Sequence, residues 1–152
     1  MRASAPRFAA PGGSLLEWAD VLDVLASVRN AWLATTNPDG RPHVAPLWLV
    51  VSDGAIWFWT PLTSRKGRNL GRDGRIAIHA DVDDRVAIVE GRAAPQPVPK
   101  SVVDGYALKY GSTDLDPTAF WRVEVESALA WRGHLGTEQL DATRFSPAKS
   151  TI

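Results

Sequence analysis

Residues 57–70 read Trp57-Phe58-Trp59-Thr60-Pro61-Leu62-Thr63-Ser64-Arg65-Lys66-Gly67-Arg68-Asn69-Leu70. A strongly apolar strand gives way to hydroxyl side chains and then to a cationic helix start. Helix N-termini carry unpaired N–H donors and partial positive charge, and Ser64, Arg65 and Lys66 add donors of the kind a dianionic phosphate recruits. An apolar strand just before such a corner could lie against the aromatic body of the same ligand. A plain N-cap followed by solvated basic residues fits the same spacing, and the two readings stay open at this level.

Working outward, the preceding segments form a meander. Ala31–Thr36 is followed by the turn Asn37-Pro38-Asp39-Gly40, then Arg41–Val51, the turn Ser52-Asp53-Gly54, and Ala55–Thr60. Gly-containing turns between β-branched and aromatic runs signal antiparallel hairpins. The strands are apolar on both faces. On Arg41–Val51 one face holds Ala45, Leu47, Leu49 and Val51, and the other Val44, Pro46, Trp48 and Val50. An antiparallel sheet ordinarily keeps one wet face, so the second face predicts a second cover, either a partner subunit or a ligand. Pro42 and Pro46 lack ladder donors and mark an edge or bulged strand.

Further out, Ser14 and Glu17 have capping-box spacing ahead of the stripe Leu15, Trp18, Leu22, Leu25. Downstream, the helix begun at Ser64 ends near Gly71–Gly74. Strands are expected at Arg75–Ala80 and Arg85–Ala93, and a helix runs from the 95–99 proline cluster through Tyr110 to a Gly111 stop. Phe120–Glu126 and Ala128–Arg132 read as a last hairpin, and the sequence after Gly133 is weakly patterned. The expected fold is mainly β (α+β): a small split β-barrel of six or seven mostly antiparallel strands with about three helices. Residues 1–13 read as a flexible arm, 14–147 as one domain and 148–152 as a tail.

Composition excludes several classes of function. The formal net charge is zero, so no basic field attracts nucleic acid or anionic membrane. Cysteine is absent, which removes disulfides, thiolate catalysis and cysteine metal sites. No apolar run is long enough to cross a bilayer, and the start has no signal-peptide core, which sets cytoplasmic location as the expectation. His43, His79 and His134 lack ligand spacing, and Asp81, Asp83 and Asp84 read as a solvated turn, so no metal is expected. Seven tryptophans in 152 residues is a high number. It points to aromatic surface buried against a partner or an aromatic ligand, or else to a Trp-rich core.

The ordered set resembles a known superfamily. A helix, Ala-Trp-Leu-Ala-Thr-Thr, Asn-Pro-Asp-Gly-Arg-Pro-His, a long strand, Trp-Phe-Trp-Thr, Thr-Ser-Arg-Lys, Arg-Asn-Leu and Val-Glu-Gly-Arg follow one another as in the flavin-binding split β-barrel proteins. These include the pyridoxamine 5′-phosphate oxidases and the flavin and deazaflavin oxidoreductases. The resemblance covers about Leu15 to Ala94 well and continues loosely to Trp131. It implies FMN, or alternatively the deazaflavin coenzyme F-420. Trp59 and Thr60 would lie beside the flavin and its phosphate, and Ser64, Arg65 and Lys66 would form the phosphate motif, with Asn69 in the helix behind them. Val44, Ala45, Pro46, Leu47 and Trp48 would edge the ring. It also implies a homodimer whose partner completes each pocket, with Glu90, Trp131 and Arg144 as candidates by position.

There are departures from the vitamin B6 oxidases proper. An Arg-Leu-His-type signature is replaced by Arg132-Gly133-His134-Leu135-Gly136, and a strand cation is replaced by Leu49. The resemblance is therefore nearer the flavin/deazaflavin branch, acting on a small planar substrate. Because a flavin carries the hydride chemistry, no catalytic side chain is required, and none is visible as a motif. A flavin binder without turnover and a haem or tetrapyrrole binder, with His43 or His79 as ligand, are the alternatives. Arg68, Arg72 and Arg75 read either as a solvated helix face or as a strip for an anionic cofactor tail.

Overall fold

The computed structural model describes residues 1–134, 136 and 138–148. In chain order the elements are β1 (Arg2–Ser4), α1 (Trp18–Ser27), β2 (Ala31–Thr36), β3 (Pro42–Leu47), β4 (Leu49–Ser52), β5 (Ala55–Trp59), α2 (Arg65–Arg72), β6 (Arg75–Val82), β7 (Arg85–Pro95), α3 (Lys100–Tyr110), β8 (Phe120–Arg132) and β9 (Asp141–Ser146). The strands lie in the order β1-β9-β8-β7-β6-β2-β3, and β5 pairs with both β8 and β4. The ladders are antiparallel. This is the expected mainly-β split barrel with three α-helices among the described residues, although nine strands replace six or seven.

Three differences set the strand count. The strand expected over Arg41–Val51 breaks at Trp48, so that β3 pairs with β2 while β4 pairs with β5. The break is stabilised by α3. The Tyr106 hydroxyl donates to the Trp48 carbonyl and accepts from Trp59 N at 2.6 Å. The Tyr110 hydroxyl accepts from Leu49 N at 2.9 Å and donates to its carbonyl at 2.7 Å. Backbone groups that lose ladder partners must find others, and two tyrosines on successive helical turns supply them.

The expected last hairpin is instead one 13-residue strand, β8. It pairs with β7 along its length, with β5 at its start and with β9 at its end. A bulge opposite Glu90 and Gly91 absorbs the irregularity seen around Glu126 and Ser127. The stretch after Gly133 contains β9, whose free edge is taken by Arg2–Ser4, so part of the expected arm is a strand. The tail positions 149–152 lie outside the described residues.

Helix α1 also starts later than expected. Glu17 is its N-cap, in a reciprocal box with Asp20, while Ser14 N bonds the Asp141 carboxylate at 2.8 Å.

Two cores form. The larger gathers Val21, Leu25, Leu33, Phe58, Ile78, Val89 and Trp121 between α1 and the barrel wall. The smaller joins Val50, Trp57 and Phe120 to Val102 and Tyr106 of α3. The second apolar face of β4 and β5 is therefore covered by the chain's own helix rather than by a partner or ligand. On β3 the second face stays open, with Val44 57% exposed.

Candidate functional site

The β3–β4 break, the end of β5 and the first turn of α2 enclose a cleft of about 350 Å³. That volume lies at the lower end of small-molecule sites, which run roughly 300–1,000 Å³. Its walls include Pro46, Leu47, Trp48, Trp59, Thr60 and Lys66, all expected from the sequence. Asn30, Pro61, Tyr106, Ser112 and Leu115 also line it and were not expected. Tyr106 was legible only as an apolar-face residue of α3, and nothing local tells that its hydroxyl reaches residues 48 and 59.

The aromatic wall is fixed in place. The Trp48 indole stacks on Tyr110 with centroids 4.5 Å apart and planes within 2°, and its N–H donates to Asn30 Oδ1 at 3.0 Å. The Arg29 guanidinium sits 5.3 Å from the Trp48 ring centroid. Trp59 is held by its indole N–H to the Asp116 carbonyl at 3.1 Å. Burial pushes the Tyr106 phenol well above its ordinary range, so it stays a neutral hydroxyl at the base of the cleft.

At the α2 end the Ser64 side chain is fully committed. It donates to the Pro61 carbonyl at 2.8 Å and accepts from Gly67 N at 3.0 Å, and Thr60 Oγ1 lies 3.1 Å away. Ser64 is thus the N-cap of the plainer reading, and it shapes the corner rather than offering a free donor. The first backbone bond of the helix is Arg68 N to Ser64 O, which leaves the Arg65 and Lys66 N–H groups ahead of the ladder. Lys66, half-buried on the cleft wall, makes no hydrogen bond or ion pair with the described residues. Two backbone donors, an ammonium and an aromatic wall are the donor set that a phosphorylated planar ligand needs, so the residues present fit a flavin phosphate. The first turn is pressed close to the loop before it: a Cβ added at Gly67 would meet the Pro61 carbonyl oxygen at 2.2 Å.

Other expected residues lie elsewhere. Arg65 points away from Lys66 into a second cleft with Asn69. Asn69 is buried and donates to Thr35 Oγ1 at 3.0 Å and Asn37 Oδ1 at 3.2 Å, which pins α2 to β2. Neither His43 nor His79 lines the first cleft. The described residues contain no cluster able to hold a metal.

Glu90, Trp131 and Arg144 lie outside both clefts, on the outer sheet face that carries Val44. Register places Val44, Ala34, Ala77, Glu90 and Ser127 in one row, where Glu90 accepts from Ser127 Oγ at 2.9 Å. Pro46, Trp32, His79, Ile88, Leu129 and Arg144 form the next row. Trp131, two residues on from Leu129 along β8, shares that face and packs edge-on against Phe8 at 6.1 Å. Trp32 is 46% exposed there.

Residues 18–132 match the pyridoxamine 5′-phosphate oxidase family, and the chain belongs to that family. Among solved structures it is similar to a conserved hypothetical protein from Mycobacterium tuberculosis, at 25% identity and TM-score 0.68, over 94% of this chain and 99% of that one. A haem binding protein from Mycobacterium smegmatis shares the fold at 19% identity and TM-score 0.64, over 85% of this chain and 58% of that one. An F-420 reductase does so at 21% identity and TM-score 0.51, over 68% of this chain and 89% of that one. No curated protein matches at a significant level. No helix among the described residues is long and apolar enough to cross a membrane.

Proposed function

We propose that this chain is a flavin-dependent oxidoreductase that binds FMN, or alternatively the deazaflavin coenzyme F-420, in the Lys66 cleft and acts on a small planar substrate. One observation carries the reading: an immobilised aromatic wall, Trp48 and Trp59, leads directly to an ammonium and two N–H groups at a helix N-terminus that have no partner among the described residues. Lys66 and the N–H groups of residues 65 and 66 would hold the phosphate, with Thr60 beside them. Pro46 to Trp48 would set the edge of the ring, and the Val44 and Ala45 backbone would continue that edge along β3. The bound flavin supplies hydride acceptance and donation. The protein's contribution is to anchor, orient and exclude water, and none of these tasks needs an acid–base pair.

The open outer face supports a homodimer as the working form. Val44, Pro46 and Trp32 form a contiguous exposed apolar patch, which His79 separates from the half-buried Ile88 and Leu129, and Glu90 and Arg144 lie on the same face. Contiguous exposed apolar surface of this kind marks an association site. A second copy laid against it would bring those charged residues toward the neighbour's Pro46 edge and complete a cleft that one subunit leaves open.

Titration with FMN and with the deazaflavin, followed by quenching of tryptophan fluorescence, tests the reading. Saturable quenching by one of them, with visible reduction by a nicotinamide or by reduced deazaflavin, is the expected result. Absence of quenching by both overturns it.

A further inference from the structure

The second cleft, about 560 Å³, lies between α2 and the β2–β3 turn, and arginines dominate it. Arg65, Arg68, Asn69 and Arg72 succeed one another at helical spacing, so they form one stripe of α2. Arg41 faces them from just ahead of β3, across Asn37, Pro38 and Asp39. Four guanidinium groups meet a single carboxylate, Asp39, which lies 3.6 Å from Arg41. This local surplus of positive charge sits on a chain whose formal net charge is zero.

Both walls are held rigidly. The Arg68 guanidinium donates to the Thr63 carbonyl and that of Arg72 to the Thr36 carbonyl. Asn69 pins the helix to β2, and the turn is closed by Asn37 N to Arg41 O at 2.8 Å and Gly40 N to Asn37 O at 2.9 Å. Each anchored guanidinium keeps further N–H donors for a ligand. Clustering like charges on a neutral protein costs stability unless an anion neutralises them, and pre-positioned guanidiniums recognise carboxylates and phosphates with paired bonds.

We propose that this arginine cleft is a second ligand site, distinct from the Lys66 cleft, for a separate molecule bearing two or more phosphate or carboxylate groups. Arg41, Arg68 and Arg72 form its floor, and Arg65 forms its boundary with the first cleft. Asp39 opposes the ligand and limits its affinity.

Calorimetric titration of the full chain with tripolyphosphate, citrate and acetate tests this. Tripolyphosphate and citrate bind saturably and acetate does not, and the affinity falls steeply with added salt. Combining Arg41→Gln with Arg68→Gln weakens tripolyphosphate binding by about tenfold or more. The charge-matched pair Arg92→Gln with Arg122→Gln leaves it unchanged. Asp39→Asn tightens it, a sign that misfolding would not produce.

Saturating FMN leaves tripolyphosphate bound; displacement would overturn the claim of a separate site. Equal loss in both double variants, or no response to Asp39→Asn, would overturn the proposal outright. It does not rest on the flavin reading: a protein that ignores FMN yet binds tripolyphosphate through Arg41 and Arg68 leaves it standing.

Discussion

Replacing Lys66 and Arg65 one at a time separates their roles, because adjacent residues on α2 face different clefts. Lys66 is half-buried against the aromatic wall and has no partner among the described residues, so its ammonium is available to a phosphate at no internal cost. A hydrogen bond to a charged group contributes about 1.5–3 kcal/mol. The cleft is open on one side, which favours the lower part of that range, so Lys66→Ala should weaken FMN binding about 10- to 30-fold. Arg65 is exposed and turned toward the arginine cleft. Its interaction with the same phosphate is that of a screened surface pair, about 0.2–1 kcal/mol, or at most about fivefold. Fluorescence titration of each variant at two ionic strengths measures both. Leu108→Ala, at a side chain 91% exposed, is the control. A larger loss for Arg65→Ala than for Lys66→Ala, or less than a twofold loss for Lys66→Ala, would refute the assignment of Lys66 as the principal cation.

Four further outcomes follow from the same structure. Tyr106→Phe leaves Trp59 N–H and the Trp48 carbonyl without a partner and should cost about 1–3 kcal/mol in urea unfolding, with FMN affinity reduced as well. Gly67→Ala forces the first turn of α2 off the Pro61 carbonyl and should cost about 1–3 kcal/mol, visible as a lower thermal midpoint. Trp32→Glu places a charge in the middle of the open sheet face, so sedimentation should show a monomer for the variant and a dimer for the native chain. Burial holds Lys109 down at about 8, so between pH 8 and 10 the unfolded chain binds the extra proton and stability from this group rises with pH. Unfolding of Lys109→Met across that range should lack the rise.

The strand–corner–helix of residues 57–70 was legible because its signals are local. Aromatic run, Thr-Pro, Ser N-cap and basic first turn each act within one or two turns of chain, and the structure places Trp59, Thr60 and Lys66 around one cleft. What failed was whatever depended on distant neighbours. Pro46 marks Arg41–Val51 as an edge or bulged strand but does not place the break at Trp48, where Tyr106 and Tyr110, some sixty residues later, accept and donate. The apolar second face of β5 suggested an external cover, yet α3 supplies it.

Sequence alone therefore determined the hairpins β2–β3, β4–β5 and β6–β7, the Ser64 cap of α2, the Gly111 stop of α3 and the position of the cationic corner, all consequences of short-range sterics and hydrogen bonding. Tertiary structure decided which apolar faces were covered and which stayed open, and it parted Arg65 from Lys66 into separate clefts. Those outcomes depend on which surfaces meet across long sequence separations, where burial and partner availability, rather than local propensity, set the free energy.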